Sequence, residues 1–226
     1  MVIVKIVVIH GQHHKGSTWH ITKLLLDRLS STAEDIKEFY TNDIPHCTGC
    51  FTCIIKDEHL CPHRNIVGPI IEAIENADVI LIESPTYCLS MSGQLKTFFD
   101  HMAYRWLIHR PHPSMKNKIA VAISTTAGAG ASKVTKDIKR QMFWLCVGKT
   151  YRLDFRVLAT NWDEVKPDLK EKINKSVTKT SKKIINSYNS VHPSILSKIM
   201  FQVMRSIQKN PWLDVDGEYW IKNNWV

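Results

Sequence analysis

The sequence predicts a doubly wound α/β domain carrying a helical extension at its C-terminal end. Two observations lead there. Short, near-continuous apolar runs alternate with stretches of helical periodicity, the pattern of a parallel sheet covered on both faces. Loops rich in small, hydroxyl and turn-forming residues follow three of those runs, and in such a sheet all three fall at one rim.

The strand candidates are Val2–Ile9, Val79–Glu83 and Ile119–Ser124, with weaker ones at Ile36–Tyr40 and Arg152–Leu158. Helical patterns lie between them near Thr18–Leu29, Val67–Asn76, Ser92–Trp106 and Ser132–Val147, followed by Pro167–Tyr188. The opening MVIVKIVVIHG reads as a buried strand and not as a secretory leader, because Lys5 interrupts it and no small-residue cleavage site follows. We divide the chain into a domain over 1–190 and an extension over 191–226. His192-Pro193 breaks the pattern before a further helix, about Ser194–Lys209, and an aromatic tail, PWLDVDGEYWIKNNWV.

Composition narrows the class. At 226 residues, 44% hydrophobic and 23% charged, the chain is long enough to bury a sizeable core. No apolar run reaches the roughly 18 residues a membrane span requires. The formal charge of +9 is uneven: residues 1–110 carry 10 basic and 12 acidic side chains, residues 111–226 carry 20 and 9. Lysines 166, 170, 172, 175, 179, 182 and 183 fall at helical spacing and read as a solvated face. Without interleaved aromatic and basic residues, a nucleic-acid partner is not expected, while a basic surface suits anionic ligands such as nucleotide phosphates. We expect a cytoplasmic protein with neither a membrane nor a nucleic-acid partner.

The first loop, HGQHHKGSTWH, runs into a helix whose start offers hydroxyls and N–H groups for a phosphate. It is neither a Walker loop nor a GxGxxG fingerprint. The second, ESPTYCLSMSGQ, places an aromatic ring and backbone amides beside space for a planar ligand. The third, STTAGAGAS, permits close backbone approach.

Six cysteines are present, and Cys47, Cys50, Cys53 and Cys61 form C-x2-C-x2-C-x7-C with Pro62 following. Three closely spaced thiolates and a fourth are what a cubane iron–sulfur cluster requires. A zinc site is a weaker alternative, since its C-x2-C pairs usually lie farther apart. Packing along a loop or a subunit contact is the third reading. Cys88 and Cys146 read as packing residues. His10, His13, His14, His20, His109 and His112 show no spacing that fixes a ligand set and read as surface or anion-binding residues.

The loop GQHHKGST, the segment IPHCTGCFTC with Cys61, and NADVILIESPTYCLSMSGQLKTFFDH together resemble the flavodoxin-like NADPH-dependent FMN reductase and iron–sulfur flavoprotein group over about residues 1–160. The resemblance implies five parallel strands in the order 2-1-3-4-5. It implies FMN phosphate held by Gly11, Gln12, His14, Gly16, Ser17 and Thr18. The isoalloxazine ring would lie beside Pro85, Thr86, Tyr87, Cys88 and Leu89, with Thr126, Ala127 and Gly128 near its pyrimidine end. The chain departs from the family's commoner Ser-Pro-Arg, having Gly11-Gln12-His13 there. The compact cysteine motif resembles that of iron–sulfur flavoproteins, where it holds a 4Fe-4S cluster, although the acidic pair often found after the fourth cysteine is replaced by Pro62-His63-Arg64-Asn65. NAD(P)H as reductant, a small-molecule or protein electron acceptor, and a homodimer or larger homo-oligomer are implied likewise. No side chain is expected to act as a catalytic acid or base, because the flavin carries the chemistry. A flavodoxin-type carrier without its own pyridine-nucleotide reaction and a non-catalytic redox sensor are the rival classes.

Overall fold

The computed structural model describes residues 4–30 and 33–226; Val2 and Ile3, which open the first expected strand, lie outside the described residues. Five strands form one sheet: β1 (Val4–His10), β2 (Ala33–Tyr40), β3 (Val79–Glu83), β4 (Ile119–Thr126) and β5 (Lys149–Arg156). Every neighbouring pair is parallel and the order is β2-β1-β3-β4-β5, the order the resemblance implies. The helices are α1 (Ser17–Ser30), α2 (Thr52–Ile55), α3 (Arg64–Asn76), α4 (Gly93–His101), α5 (Ala131–Trp144), α6 (Pro167–Ser187), α7 (Ile195–Ile207) and α8 (Asp214–Lys222).

The alternation of side chains along a strand explains why the apolar runs are nearly unbroken. On one face Val7, Ile9, Ile80, Ile82 and Ala122 pack with Ile71, Leu95, Phe98, Val134 and Ile138 of α3, α4 and α5. On the other, Ile6, Val8, Leu81, Val121 and Ile123 pack with Ile21, Leu25, Ile173 and Val177 of α1 and α6. Each such side chain contributes about 1.5–3 kcal/mol by leaving water. The outermost strands are mixed because one edge meets solvent: in β5 only Leu153 is buried, and Asp35, Ile36, Lys37 and Glu38 of β2 are exposed.

The structure amends three expectations. The helix expected over Ser92–Trp106 stops at His101, and a short 3-10 turn over Ala103–Arg105 follows, burying Tyr104. The last strand begins at Lys149 and ends at Arg156, because its ladder with β4 starts at Ile119↔Lys149. The aromatic tail contains a helix, α8, hidden from periodicity because its inward residues are Asp216, Gly217 and Trp220. The α6 lysines expected on a solvated face are exposed except Lys170, which is half-buried.

The extension packs on the domain through Trp220, which clusters with Leu107 and Met204. Its indole N–H donates to the His109 carbonyl at 2.6 Å. Beside it a buried polar group fixes the helix: Arg110 Nη1 donates to Asp216 Oδ1 at 2.5 Å, and His109 Nδ1 lies 2.7 Å from Asp216 Oδ2. Arg110 is 2% exposed and Asp216 3%. Removing one member of a buried pair leaves the other charge short of a partner. Asp216→Ala is therefore expected to lower the unfolding free energy by on the order of 3 kcal/mol, read from denaturant unfolding. A change within a few tenths would show that the remaining Arg110 contacts suffice.

Candidate cofactor-binding site

Three loops at the carboxyl ends of β1, β3 and β4 build the site, and short polar contacts hold them together. The Gly11 amide donates to the Glu83 carbonyl at 2.9 Å. A Cβ at Gly11 would stand 2.7 Å from that oxygen and 3.0 Å from Ser92 Oγ, so only glycine fits between the loops. Ser92 Oγ donates to the Gly11 carbonyl at 2.6 Å and accepts from the Leu95 amide as the α4 cap. The Ser92 amide in turn donates to Ser84 Oγ at 2.9 Å.

Beyond this strut the first loop enters α1. The Gly16 carbonyl accepts from the His20 amide at 3.1 Å, placing Ser17, Thr18 and Trp19 in a first turn whose amides have no acceptor within the helix. Thr18 Oγ1 and Thr125 Oγ1 share a hydrogen bond of 2.6 Å, tying that turn to β4. Gln12 spans two loops: its Nε2 donates to the Tyr87 hydroxyl at 3.2 Å, and its Oε1 accepts from the His13 amide at 2.6 Å.

The second loop reverses tightly. Tyr87 and Ser90 exchange backbone hydrogen bonds of 2.9 Å each, with Cys88 and Leu89 at φ 48° and 59° between them. Two consecutive left-handed residues mark the mirror-image hairpin turn that normally selects Asn or Gly, so strain is stored beside the cavity. The Thr86 amide donates to the Thr125 carbonyl at 3.0 Å. In the third loop Gly130 has φ 106°, and a Cβ there would stand 2.7 Å from Thr86 Cγ2. Glycine thus allows the second and third loops to touch.

These loops enclose a cavity of about 280 Å³. Of the residues expected from the sequence, Gln12, His14, Gly16, Ser17, Thr18, Pro85, Thr86, Tyr87, Thr126 and Ala127 line it. Gly11 is the strut behind it, Cys88 and Leu89 stand exposed at the turn tip, and Gly128 is exposed with its amide donating to Thr126 Oγ1. The lining also includes Glu83 and Thr125 at strand ends, and Val157, Ala159 and Thr160 after β5. The rule that all parallel strands end at one rim was the signal for that fourth loop. A larger cavity of about 560 Å³ lies beside α7, lined by Leu107, Phe143, Phe201 and Trp225 among others. Its lining is mostly apolar, with Ser197 its one hydroxyl, whereas hydroxyls from three loops converge on the smaller cavity, which is the candidate site.

The four motif cysteines lie outside the cavity lining, on the segment that contains α2. Cys47 and Cys50 are exposed, Cys53 and Cys61 half-buried. Burial, then the neighbouring Cys61, Cys47 and Cys50, push the Cys53 thiol up to about 11. The four thiols therefore share one neighbourhood. Among the described residues, however, no three or more His, Cys, Asp or Glu side chains converge as a metal ligand set. Burial pushes Cys146 up to about 12, as a packing thiol requires. The histidine reading needs correction: His10 is fully buried between two carboxylates, and His109 is paired with Asp216. His13 and His14 are exposed, as expected.

A parallel sheet in this order, with a helix start and two further loops meeting at one cavity, is a flavodoxin-like arrangement. The model of the NADPH-dependent FMN reductase family matches residues 4–160, and the chain belongs to that family of FMN-dependent oxidoreductases. An iron–sulfur flavoprotein of Archaeoglobus fulgidus is 28% identical over 159 residues, covering 68% of this chain and 70% of that one. An iron–sulfur flavoprotein of Clostridioides difficile is 27% identical over 207 residues, covering 86% and 84%. Among solved structures, a flavone reductase superposes with a TM-score of 0.60 at 13% identity, covering 84% of this chain and 65% of that one, which shows the shared fold.

Because Gly130 keeps two loops in contact, Gly130→Ala is expected to weaken FMN binding by about tenfold, equivalent to about 1.4 kcal/mol. Gly93→Ala, where an added Cβ meets nothing within 4 Å, serves as the control. Fluorescence titration of the cofactor-free protein compares the two, and equal affinities would sink the expectation.

Proposed function

We propose that the chain is an NAD(P)H-dependent FMN oxidoreductase that passes electrons from a reduced pyridine nucleotide through FMN to a small-molecule or protein acceptor. One observation carries this reading: three loops and the start of a 14-residue helix meet at a single cavity that presents amides, hydroxyls and an aromatic ring. The donor set fits FMN. The first turn of α1 offers positive potential and free amides to the phosphate, with the Ser17 and Thr18 side chains in the lining. Pro85, Thr86 and Tyr87 supply one wall for the ring, and Thr126 with Ala127 the other. Bound there, FMN supplies the chemistry of accepting electrons in pairs and releasing them, while the protein sets its position and electrostatics.

The chain's residues act by holding the walls still. The Thr18–Thr125 bond fixes the phosphate end relative to β4, and the Gln12–Tyr87 bond fixes the aromatic wall relative to the first loop. Beside the cavity Leu89 and Leu158 expose large apolar side chains. We assign them to contact with a second copy of the chain, since exposed apolar side chains at a site mark interaction surfaces.

The enzyme reading is tested by mixing FMN-loaded protein anaerobically with NADPH and, separately, NADH. Bleaching of the flavin's visible absorption on the turnover timescale with either one is expected. Protein that resists both yet bleaches with dithionite would be an electron carrier instead.

A second reading is favoured by the shared neighbourhood of Cys47, Cys50, Cys53 and Cys61 and by the relatives' name. In it these four thiols hold an iron–sulfur cluster as the next electron station. Anaerobic reconstitution with iron and sulfide is then expected to give about four iron atoms per chain, the number a 4Fe-4S cluster holds. Cys53→Ser should reduce the iron bound. Iron content no higher than in a variant lacking all four thiols would discard this reading.

A further inference from the structure

The cavity has one ionisable wall that binding a phosphate does not explain. Glu83, the last residue of β3, lines the cavity and is 1% exposed. It stands at the rim that receives the first turn of α1, where a phosphate of about −1.5 to −2 charge would sit. A carboxylate beside such a group is repelled, so the pocket looks wrongly charged for its ligand.

The neighbours of Glu83 resolve this. On the adjacent strand His10 is 0% exposed, and its Nδ1 lies 3.1 Å from Glu83 Oε1. The other ring nitrogen, Nε2, lies 2.9 Å from Glu38 Oε2 on β2. The ring is further clamped by Tyr40, stacked at 4.4 Å and 15°. A neutral imidazole carries one N–H and can donate to only one of two carboxylates. For both contacts to be hydrogen bonds the triad must hold one proton more than that: on the second ring nitrogen, or on a carboxyl that then donates to the bare nitrogen.

The surroundings decide where this proton goes. Glu38 is 31% exposed and accepts from Lys23 Nζ of α1 at 3.1 Å. Burial opposes its charge, but hydrogen bonds from His10 and Lys23 outweigh it and hold Glu38 below the usual carboxylate range. Burial raises Glu83, against the His10 hydrogen bond. The other titratable groups nearby are His14 and Tyr87 in the cavity lining, and Tyr40 with His13 tilted over it at 4.6 Å. From β4 the register partner of Glu83 is Ile123, and Thr125 lines the same cavity; neither side chain titrates. Glu38 thus stays an anion at the solvent edge, and Glu83 is the carboxyl that gains from neutrality.

We infer that FMN uptake draws one proton into the Glu83–His10–Glu38 triad, leaving Glu83 a neutral carboxylic acid in the loaded protein. The inference rests on the phosphate site proposed above. An anion entering the cavity favours the protonated form of every group around it, so the loaded triad keeps its proton to higher pH than the empty one. His10 connects Glu83 to Glu38, and Glu38 meets solvent, so the proton has a path that does not cross the occupied cavity. No bond beyond N–H and O–H is made or broken, and the proton comes from water.

The sign follows from linkage. Where the empty triad has lost its extra proton and the loaded one holds it, FMN affinity falls as pH rises, approaching tenfold per unit for a full proton. Titrating cofactor-free protein with FMN above the phosphate's own ionisation near pH 6 is expected to show this fall. Riboflavin, which lacks the phosphate, should bind without it, and Glu83→Gln should bind FMN with a slope shallower than the parent's by up to tenfold per unit. Calorimetry of the unaltered chain in two buffers of different ionisation enthalpy counts the proton directly, so the test survives a variant that folds poorly. Tight FMN binding with no proton uptake, or equal pH slopes for the parent and Glu83→Gln, overturns this inference and leaves the FMN site standing. Failure to bind FMN at any pH overturns both.

Discussion

The rim of the sheet depends on one backbone hydrogen bond, from the Gly11 amide to the Glu83 carbonyl. It extends the β1–β3 ladder one residue past its last pair, His10↔Glu83, at the point where the chain must leave the sheet. A bond of this kind contributes only about 1 kcal/mol net, but a buried amide left without its partner costs more. Around it the other contacts fall into place: Ser92 caps α4 and binds the Gly11 carbonyl, and Ser84 Oγ receives the Ser92 amide. Two segments distant in sequence, the loops after β1 and β3, are thereby brought together, and the cavity opens at their junction.

Much of this was legible because one kind of signal dominates it. A strand buried on both faces must be apolar at nearly every position, so Val79–Glu83 was found at its true bounds and Ile119–Ser124 within two residues. The loops were legible for a related reason: close approach restricts residue choice at Gly11 and helix capping at Ser92. Hidden features were those whose logic is not local. Glu83 at the end of an apolar run carries no periodic signature, and its role arises only when register sets it opposite His10. Val157, Ala159 and Thr160 join the cavity from a loop of unremarkable composition. Helix α8 escaped notice because its inward face is held by a carboxylate and an indole N–H, not by an apolar stripe.

The same polar logic governs where the cysteine segment sits. Arg110, on the connection between α4 and β4, donates to the Ile54 carbonyl at 3.1 Å and also to the Cys53 carbonyl. Its guanidinium pairs at once with Asp216 of α8 and, at 3.3 Å, with Glu58 just beyond α2. Glu58 also meets Arg105, which binds Glu75 of α3 at 2.7 Å. Charges this buried cost several kcal/mol each to desolvate and persist only when every member has partners. The thiol-bearing segment is thus tied to the C-terminal helix by charge, while Cys53 and Ile54 pack on the core and Phe51, Ile55 and Leu60 are exposed.

That arrangement gives the extension a definite physical task. A segment with exposed apolar side chains and no strand ladder depends on side-chain contacts to set its conformation. Arg110 adds one constraint by gripping two consecutive carbonyls, and Asp216 keeps Arg110 aimed at them. Without α8 the guanidinium would keep Glu58 as a charge partner, but Glu58 belongs to the segment being positioned and cannot serve as a fixed anchor. The anchor has to come from outside, and Trp220, wholly buried against Leu107 and Met204, provides it. The C-terminal helices therefore act on the thiol-bearing segment through the Arg110 guanidinium, which Asp216 of α8 holds.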